Sequence, residues 1–358
     1  MKNARIVDSH MHIPQWLRGD GTLAFDVIDE YRENNGIAYV DNMCCSNNAN
    51  LWGGYEPDQS ILGAISKLEN PYVFNHGCLY IPQNVEDTEK YDFVSQIEEL
   101  MELGVDDIKI CDFKPDAYKV LSVEKRLLEY ERLIDYCEKY NVHMCWHVAD
   151  PDFFWDETKV SDRVKELGWF YGDGSYPSYE KLIGYAFNMI ERHPKLNVQL
   201  AHAFFKSEKP DEVEILLSKH PNVTIDFAPG GEMFAGFSKY YDHWCNIFRN
   251  YSDRFLFATD ASVTYTADYM SSLAQRVFRF LTTDDIFNYT EEYVAHGINL
   301  SGEHLENMLY RNHERTVGYV PRQIDKKALK RYIDRYLPLM PDTKNKLMTE
   351  EYYKKMLI

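Results

Sequence analysis

RIVDSHMHI, Arg5–Ile13, opens the chain with a β-rich run that ends in two histidines one residue apart. In an extended strand alternate side chains share a face, so His10 and His12 point the same way and both imidazoles can reach one ion. Asp8 lies on that face one layer deeper and reads as a supporting hydrogen bonder. Seven further β-rich runs follow: IAYVDNMC from Ile37, YVFNHGCLYI from Tyr72, DIKICDF from Asp107, VHMCWHV from Val142, VQLAHA from Val198, VTIDFAP from Val223 and FLFATDA from Phe255. The segments between them carry helical periodicity. In SVEKRLLEYERLIDYCEKYN, Ser122 is placed to cap a helix whose apolar stripe is Leu127, Tyr130, Ile134 and Cys137. Eight strands alternating with helices predict an α/β fold, a closed (β/α)8 barrel.

At 358 residues the chain suits one such barrel with appendages. The expected division is a catalytic barrel over 1–319 and a basic, amphipathic helical tail over 320–358. That tail is expected to pack on its own barrel, with a homodimer contact as the alternative. A net charge of −18 without a Lys/Arg run argues against nucleic acid or an anionic membrane as partner and leaves a small-molecule substrate. Seven cysteines without C-x-x-C spacing, several in apolar runs, read as reduced core thiols. MKNARIVDSH enters a strand without an apolar leader, and no later stretch approaches membrane-span length, so a cytoplasmic location is expected.

Active sites of βα barrels sit where strands end, which makes polar residues at the ends of the runs the ones to weigh. His10 and His12 end the first run, His147 the fifth, His202 the sixth and Asp260 the eighth. Imidazoles with one carboxylate suit zinc, or a neighbouring ion such as manganese or iron, with a position left for water. His76 and His143 fall early in their runs and read as structural. Between Ala149 and Tyr179 a long connection holds Phe153, Phe154, Trp155, Trp169, Phe170 and Tyr171, either a substrate wall or a hydrophobic plug. Arg18, Lys109, Trp155 and Arg163 are the candidate substrate contacts, with Arg18 or Arg163 as anion anchor. Trp52, Tyr55, Lys114 and Tyr265 stand on comparable segments. No phosphate-binding glycine loop or nucleophilic serine elbow accompanies them.

These residues resemble the amidohydrolase superfamily, specifically its amidohydrolase-related branch of TIM-barrel metal-dependent hydrolases and decarboxylases. The resemblance runs from Arg5 to about Tyr319 through DSHMH, HVADP at His147–Pro151, RHPKLNVQLAHA from Arg192, HPNVTIDFA from His220, DRFLFATDA from Asp253 and MLYRNHERTVGY near the barrel's end. It implies that His10, His12, His147 and Asp260 bind one divalent ion, with zinc expected and manganese or iron as alternatives. His202 would hold or deprotonate the attacking water, and Asp260 would share in moving its proton. Lys109 is where binuclear members carry a carbamylated bridging lysine, which makes a second metal the less favoured alternative. The implied activity is hydrolysis, with metal-activated water attacking an ester, lactone or amide carbonyl. Non-oxidative decarboxylation of a carboxylated small molecule on the same site is the runner-up. A metal-free binding barrel is the reading from another class, disfavoured because all five strand-end residues are present.

Overall fold

A computed structural model describes residues 5–14, 24–45, 59–81, 92–228, 230–339, 342 and 344–356. Its first strand is β1 (Ile6–His12). There follow β2 (Ile37–Met43), β3 (Val73–Gly77), β4 (Asp107–Phe113), β5 (Met144–Val148), β6 (Val198–Leu200), β7 (Val223–Asp226), β8 (Phe255–Leu256) and β9 (Ala261–Ser262). They form one sheet in the order β8-β7-β6-β5-β4-β3-β2-β1-β9, with every pairing parallel. Each of the eight sequence runs contributes to it.

The eighth run supplies both β8, which pairs with β7, and β9, which pairs with β1. Between these ends Ser9 N donates to Phe257 O at 3.0 Å and Asp260 N to His10 O at 2.8 Å, so the eighth strand position closes the ring. Asp8 reinforces the seam. Its buried carboxylate accepts from Thr259 Oγ1 at 2.6 Å, Thr259 N at 3.1 Å and Tyr31 Oη at 2.7 Å. Burial pushes its pKa up to about 7 against the opposing effect of those bonds.

Helices cover the outside of the ring. The helix expected after Ser122 begins instead at Leu127, preceded by a short 3-10 turn over Val123–Arg126. Ser122 sits in the left-handed region, φ 50°, and its hydroxyl makes no cap bond, so the turn rather than the serine sets the helix entry. Beside β7 and β8, Phe248 is fully buried among Phe227, Phe237, Trp244, Phe255 and Phe280, with ring centroids 5.0 to 6.0 Å apart. Truncating a ring so enclosed leaves a cavity as well as losing transfer free energy. Phe248→Ala is expected to cost about 3–5 kcal/mol in a urea titration.

The helix Lys326–Tyr336 buries Leu329, Tyr332 and Ile333 against Ile61, Ile65 and Leu103 of the helices Gln59–Glu69 and Phe93–Leu103. Arg322, just ahead of it, donates to Val105 O at 2.9 Å and Met101 O at 2.8 Å. No helix among the described residues is long and apolar enough to cross a membrane.

Candidate metal centre

His10, His12 and Asp260 each offer a ligand atom within 4.8 Å of the other two. Asp260 Oδ1 lies 3.0 Å from His12 Nε2 and 3.6 Å from His10 Nε2. The outer nitrogens of both rings are committed elsewhere. His10 Nδ1 is 2.9 Å from Asp226 Oδ2, and His12 Nδ1 is 2.7 Å from Met43 O. Carbonyl and carboxylate oxygens only accept, so these contacts place the hydrogens on Nδ1 and leave the two Nε2 lone pairs facing Asp260.

Asp226, the last residue of β7, was not singled out from the sequence, although it is a carboxylate at a strand end just as Asp260 is. It is fully buried and accepts from His10, from Gln199 Nε2 at 2.7 Å and from the backbone amides of His202 at 2.8 Å and Ala228 at 3.1 Å. Burial opposes its charge, but His10, with His202 and Lys109 nearby, outweighs burial and holds it well below the usual carboxylate range. Asp260 is likewise held far below that range despite burial, chiefly by the His12 imidazole 3.0 Å away and then by those of His202 and His10. Burial lowers the pKa of His10 to about 4, with Lys109 adding to the effect, and pushes His202 well below its ordinary value. The His10 and His202 imidazoles are therefore neutral at physiological pH.

His147 and His202 are joined to one another, with His202 Nε2 3.0 Å from His147 Nδ1. The other nitrogen of His147 faces Ala149 O at 3.0 Å and Asp150 Oδ1 at 3.4 Å, which requires a hydrogen on Nε2. Both His147 nitrogens are thus engaged, and it stands outside the group of His10, His12 and Asp260. His202 stands between them, its ring centroid 5.0 Å from that of His10 and 4.6 Å from that of His147.

The backbone is strained at these strand ends. Ala149 (φ 62°), Asp260 (φ 52°) and four successive residues, His202 to Phe205 (φ 50–57°), are left-handed without being glycine. Such conformations cost about 1–2 kcal/mol per residue. Asp226 on the His202 amide and Phe204 N on Ala201 O at 3.0 Å help hold the turn. Strain so concentrated is typical of sites where the fold imposes geometry on reacting groups. It also means that His202 follows β6 in a turn rather than ending the strand.

A cavity of about 500 Å3 opens over these groups, a size suited to a small molecule. Its floor includes His10, His12, Lys109, His147, His202 and Asp260, and Phe154, Trp169, Phe205 and Tyr265 stand around it. Lys109 is buried with Nζ 3.3 Å from His10 Nε2 and 3.4 Å from Cys145 Sγ. Lys114 lines the cavity, bound to Asp150 at 2.5 Å and Tyr171 Oη at 3.1 Å. Trp155 does not line it. Its Nε1 donates to Pro177 O at 3.0 Å and its ring packs against Tyr171 and Tyr179, so the aromatic connection supplies the wall through Phe154 and Trp169. Arg163 is exposed on the helix Asp162–Glu166, away from the cavity lining. Arg18, Trp52 and Tyr55 lie outside the described residues. All seven cysteines are free, and Cys45 and Cys111, expected in the core, line the cavity.

Neither a protein family nor a curated protein matches the chain by sequence. Solved structures do. A TIM-barrel protein of Bordetella bronchiseptica superposes with a TM-score of 0.53 at 13% identity over 87% of this chain and 97% of its own. IDCase of Metarhizium anisopliae, in its apo form, gives 0.52 at 11% identity over 88% and 97%. An amidohydrolase of Burkholderia multivorans with bound zinc gives 0.51 at 10% identity over 88% and 99%. The chain has the TIM-barrel fold of these proteins. At such identities the likeness of this barrel to them is one of fold, and its chemistry has to be argued from its own residues.

Proposed function

We propose that this chain is a metal-dependent hydrolase of the amidohydrolase superfamily, cleaving an ester, lactone or amide bond in a small molecule. One observation carries the reading: three lone pairs, on His10 Nε2, His12 Nε2 and Asp260 Oδ1, meet with no hydrogen assigned between His12 and Asp260. Acceptors converge in this way around a cation. A proton on His12 would satisfy one contact and Lys109 Nζ, 3.3 Å from His10 Nε2, another, whereas a divalent ion satisfies all three, and two imidazoles with a carboxylate are a donor set that suits zinc. The family pattern would add His147, but both of its nitrogens are engaged by Ala149, Asp150 and His202, so it is left out of the donor set. One ion is the favoured count, with a second bridged by carbamylated Lys109 as the alternative.

A divalent ion at this place supplies Lewis acidity toward a carbonyl oxygen and draws the pKa of water toward neutrality. The chain's own groups do the rest. His202, kept neutral by burial, accepts a proton at its ring, and Asp260, held as the carboxylate, shares that proton through its free oxygen. His147 orients His202 through their 3.0 Å contact. Phe154, Trp169 and Phe205 give the cavity an apolar wall for the substrate.

Asp226 sets the His10 tautomer, which gives a separable prediction. In Asp226→Asn the amide presents a donor either to His10 Nδ1–H and Gln199 or to the two backbone amides, so one set of donors loses its acceptor. Metal affinity is expected to fall about 10–100-fold, read by competition with a chromophoric chelator.

The activity is tested by stripping the protein with chelator, restoring zinc, manganese or iron, and assaying ester, lactone and amide panels in 18O-labelled water. Metal-dependent turnover with label in the product supports the reading. Carbon dioxide release from a carboxylated substrate, with no label in the organic product, would assign the lyase chemistry instead, and turnover indifferent to metal would overturn both.

A further inference from the structure

A second gathering of imidazoles and carboxylates lies inside the barrel, and none of its members lines the cavity. His76 of β3, Asp107 at the start of β4 and His143 just ahead of β5 have ligand atoms within 4.8 Å of one another. His76 and His143 are fully buried and Asp107 is 5% exposed. We propose that these three residues bind a structural divalent ion of the zinc class, separate from the centre at the cavity floor.

The donor set is prepared as that of His10 is. His76 Nδ1 is 2.7 Å from Asp41 Oδ1, so its hydrogen lies there and Nε2 carries the lone pair. Asp41 is itself held by His313 Nε2 at 3.0 Å on its other oxygen. A carboxylate behind an imidazole is the usual support of a metal-binding histidine. His76 Nε2 lies 2.9 Å from His143 Nδ1, and that atom lies 3.8 Å from Asp107 Oδ2. Those separations bracket the roughly 3.4 Å between ligands on a tetrahedral zinc with bonds near 2.1 Å. The backbone amide of His143 steadies the carboxylate through Asp107 Oδ1 at 2.9 Å.

Two further observations point to a cation. Asp107 Oδ2, the atom offered to the ion, is buried with no hydrogen-bond partner among the described residues. An orphaned buried acceptor is costly, and an ion between the three groups gives the carboxylate oxygen its partner. Asp41 and Asp107 also bring two carboxylates into the interior without an ammonium or guanidinium bound to either among the described residues. The nearby Lys67 is taken by Asp106 at 2.5 Å. Asp41 is answered by His76 and His313, whereas burial opposes the charged form of Asp107, which a divalent ion on Oδ2 would favour and a trapped water would not. Bound there, it ties β3, β4 and β5 together and, through Asp41 and His313, links them to the helix Asn312–Thr316.

The test uses full-length protein from zinc-supplemented medium, with metal counted by mass spectrometry. In His12→Ala/Asp260→Asn, which removes two of the three cavity-floor ligands, one zinc equivalent per chain is expected to remain. Adding Asp107→Asn, or His143→Gln if the first fails to fold by circular dichroism, is expected to reduce it to about a tenth or less. Cobalt loaded into the His12→Ala/Asp260→Asn protein should give visible absorption bands that the added substitution abolishes. A folded His12→Ala/Asp260→Asn protein without metal, or residual metal indifferent to the added substitution, overturns the lower site. If instead the metal of wild type is unchanged by His12→Ala/Asp260→Asn and lost on changing Asp107, the lower site stands and the cavity-floor reading falls.

Discussion

Asp260→Asn is expected to leave a folded barrel that holds no metal at the cavity floor and turns over at least about 10⁴-fold more slowly than wild type in kcat/KM. The choice of asparagine matters. Asp260 has φ 52°, a conformation that asparagine adopts at less cost than alanine, so the backbone that closes the ring is left undisturbed. What changes is the charge of the one carboxylate that faces both His12 at 3.0 Å and His10 at 3.6 Å. Two neutral imidazoles without it hold a divalent ion weakly. The substitution also removes the group with which His202 would share the proton. Metal content and steady-state rate measured on the same sample check the expectation, and a variant that keeps both would remove Asp260 from the ligand set.

His202→Asn should behave differently, keeping the metal and losing about 10²–10⁴-fold in kcat. His202 contributes no ligand atom to the group formed by His10, His12 and Asp260, yet its ring lies 5.0 Å from that of His10, beside the centre. Asparagine again suits the left-handed backbone, φ 57°, and leaves the amide that donates to Asp226 in place. The variant therefore separates proton transfer from metal binding. Loss of metal together with rate would make His202 a ligand, and an unchanged rate would leave the proton to Asp260 alone.

How much of this was legible beforehand can be seen residue by residue. The eight strands were legible because a β-rich run of a few residues is a local property, and each run in the sequence became part of the sheet. Of the four ligands expected, His10, His12 and Asp260 come together, as strand ends of a parallel barrel do, while His147 turns to Ala149 and His202. Asp226 meets the same criterion, but nothing in VTID tells a supporting carboxylate from a core one. Ser122 misled because a cap depends on backbone angles, and those were set by the turn that follows it. Trp155 and Arg163 were plausible by position, but a loop residue's direction depends on what it packs against, and Pro177 and solvent claimed them.

From sequence alone came the barrel and the residues eligible to hold an ion, because periodicity and strand-end chemistry are written within a few consecutive positions. Only the tertiary structure decided which nitrogen of each imidazole carries its hydrogen and which lone pairs meet. Those choices belong to partners far along the chain, such as Asp226, 216 residues beyond His10, and Asp260, 248 beyond His12. The same holds for the buried cluster of His76, Asp107 and His143, whose members look structural one at a time and form a donor set only where three strands bring them together.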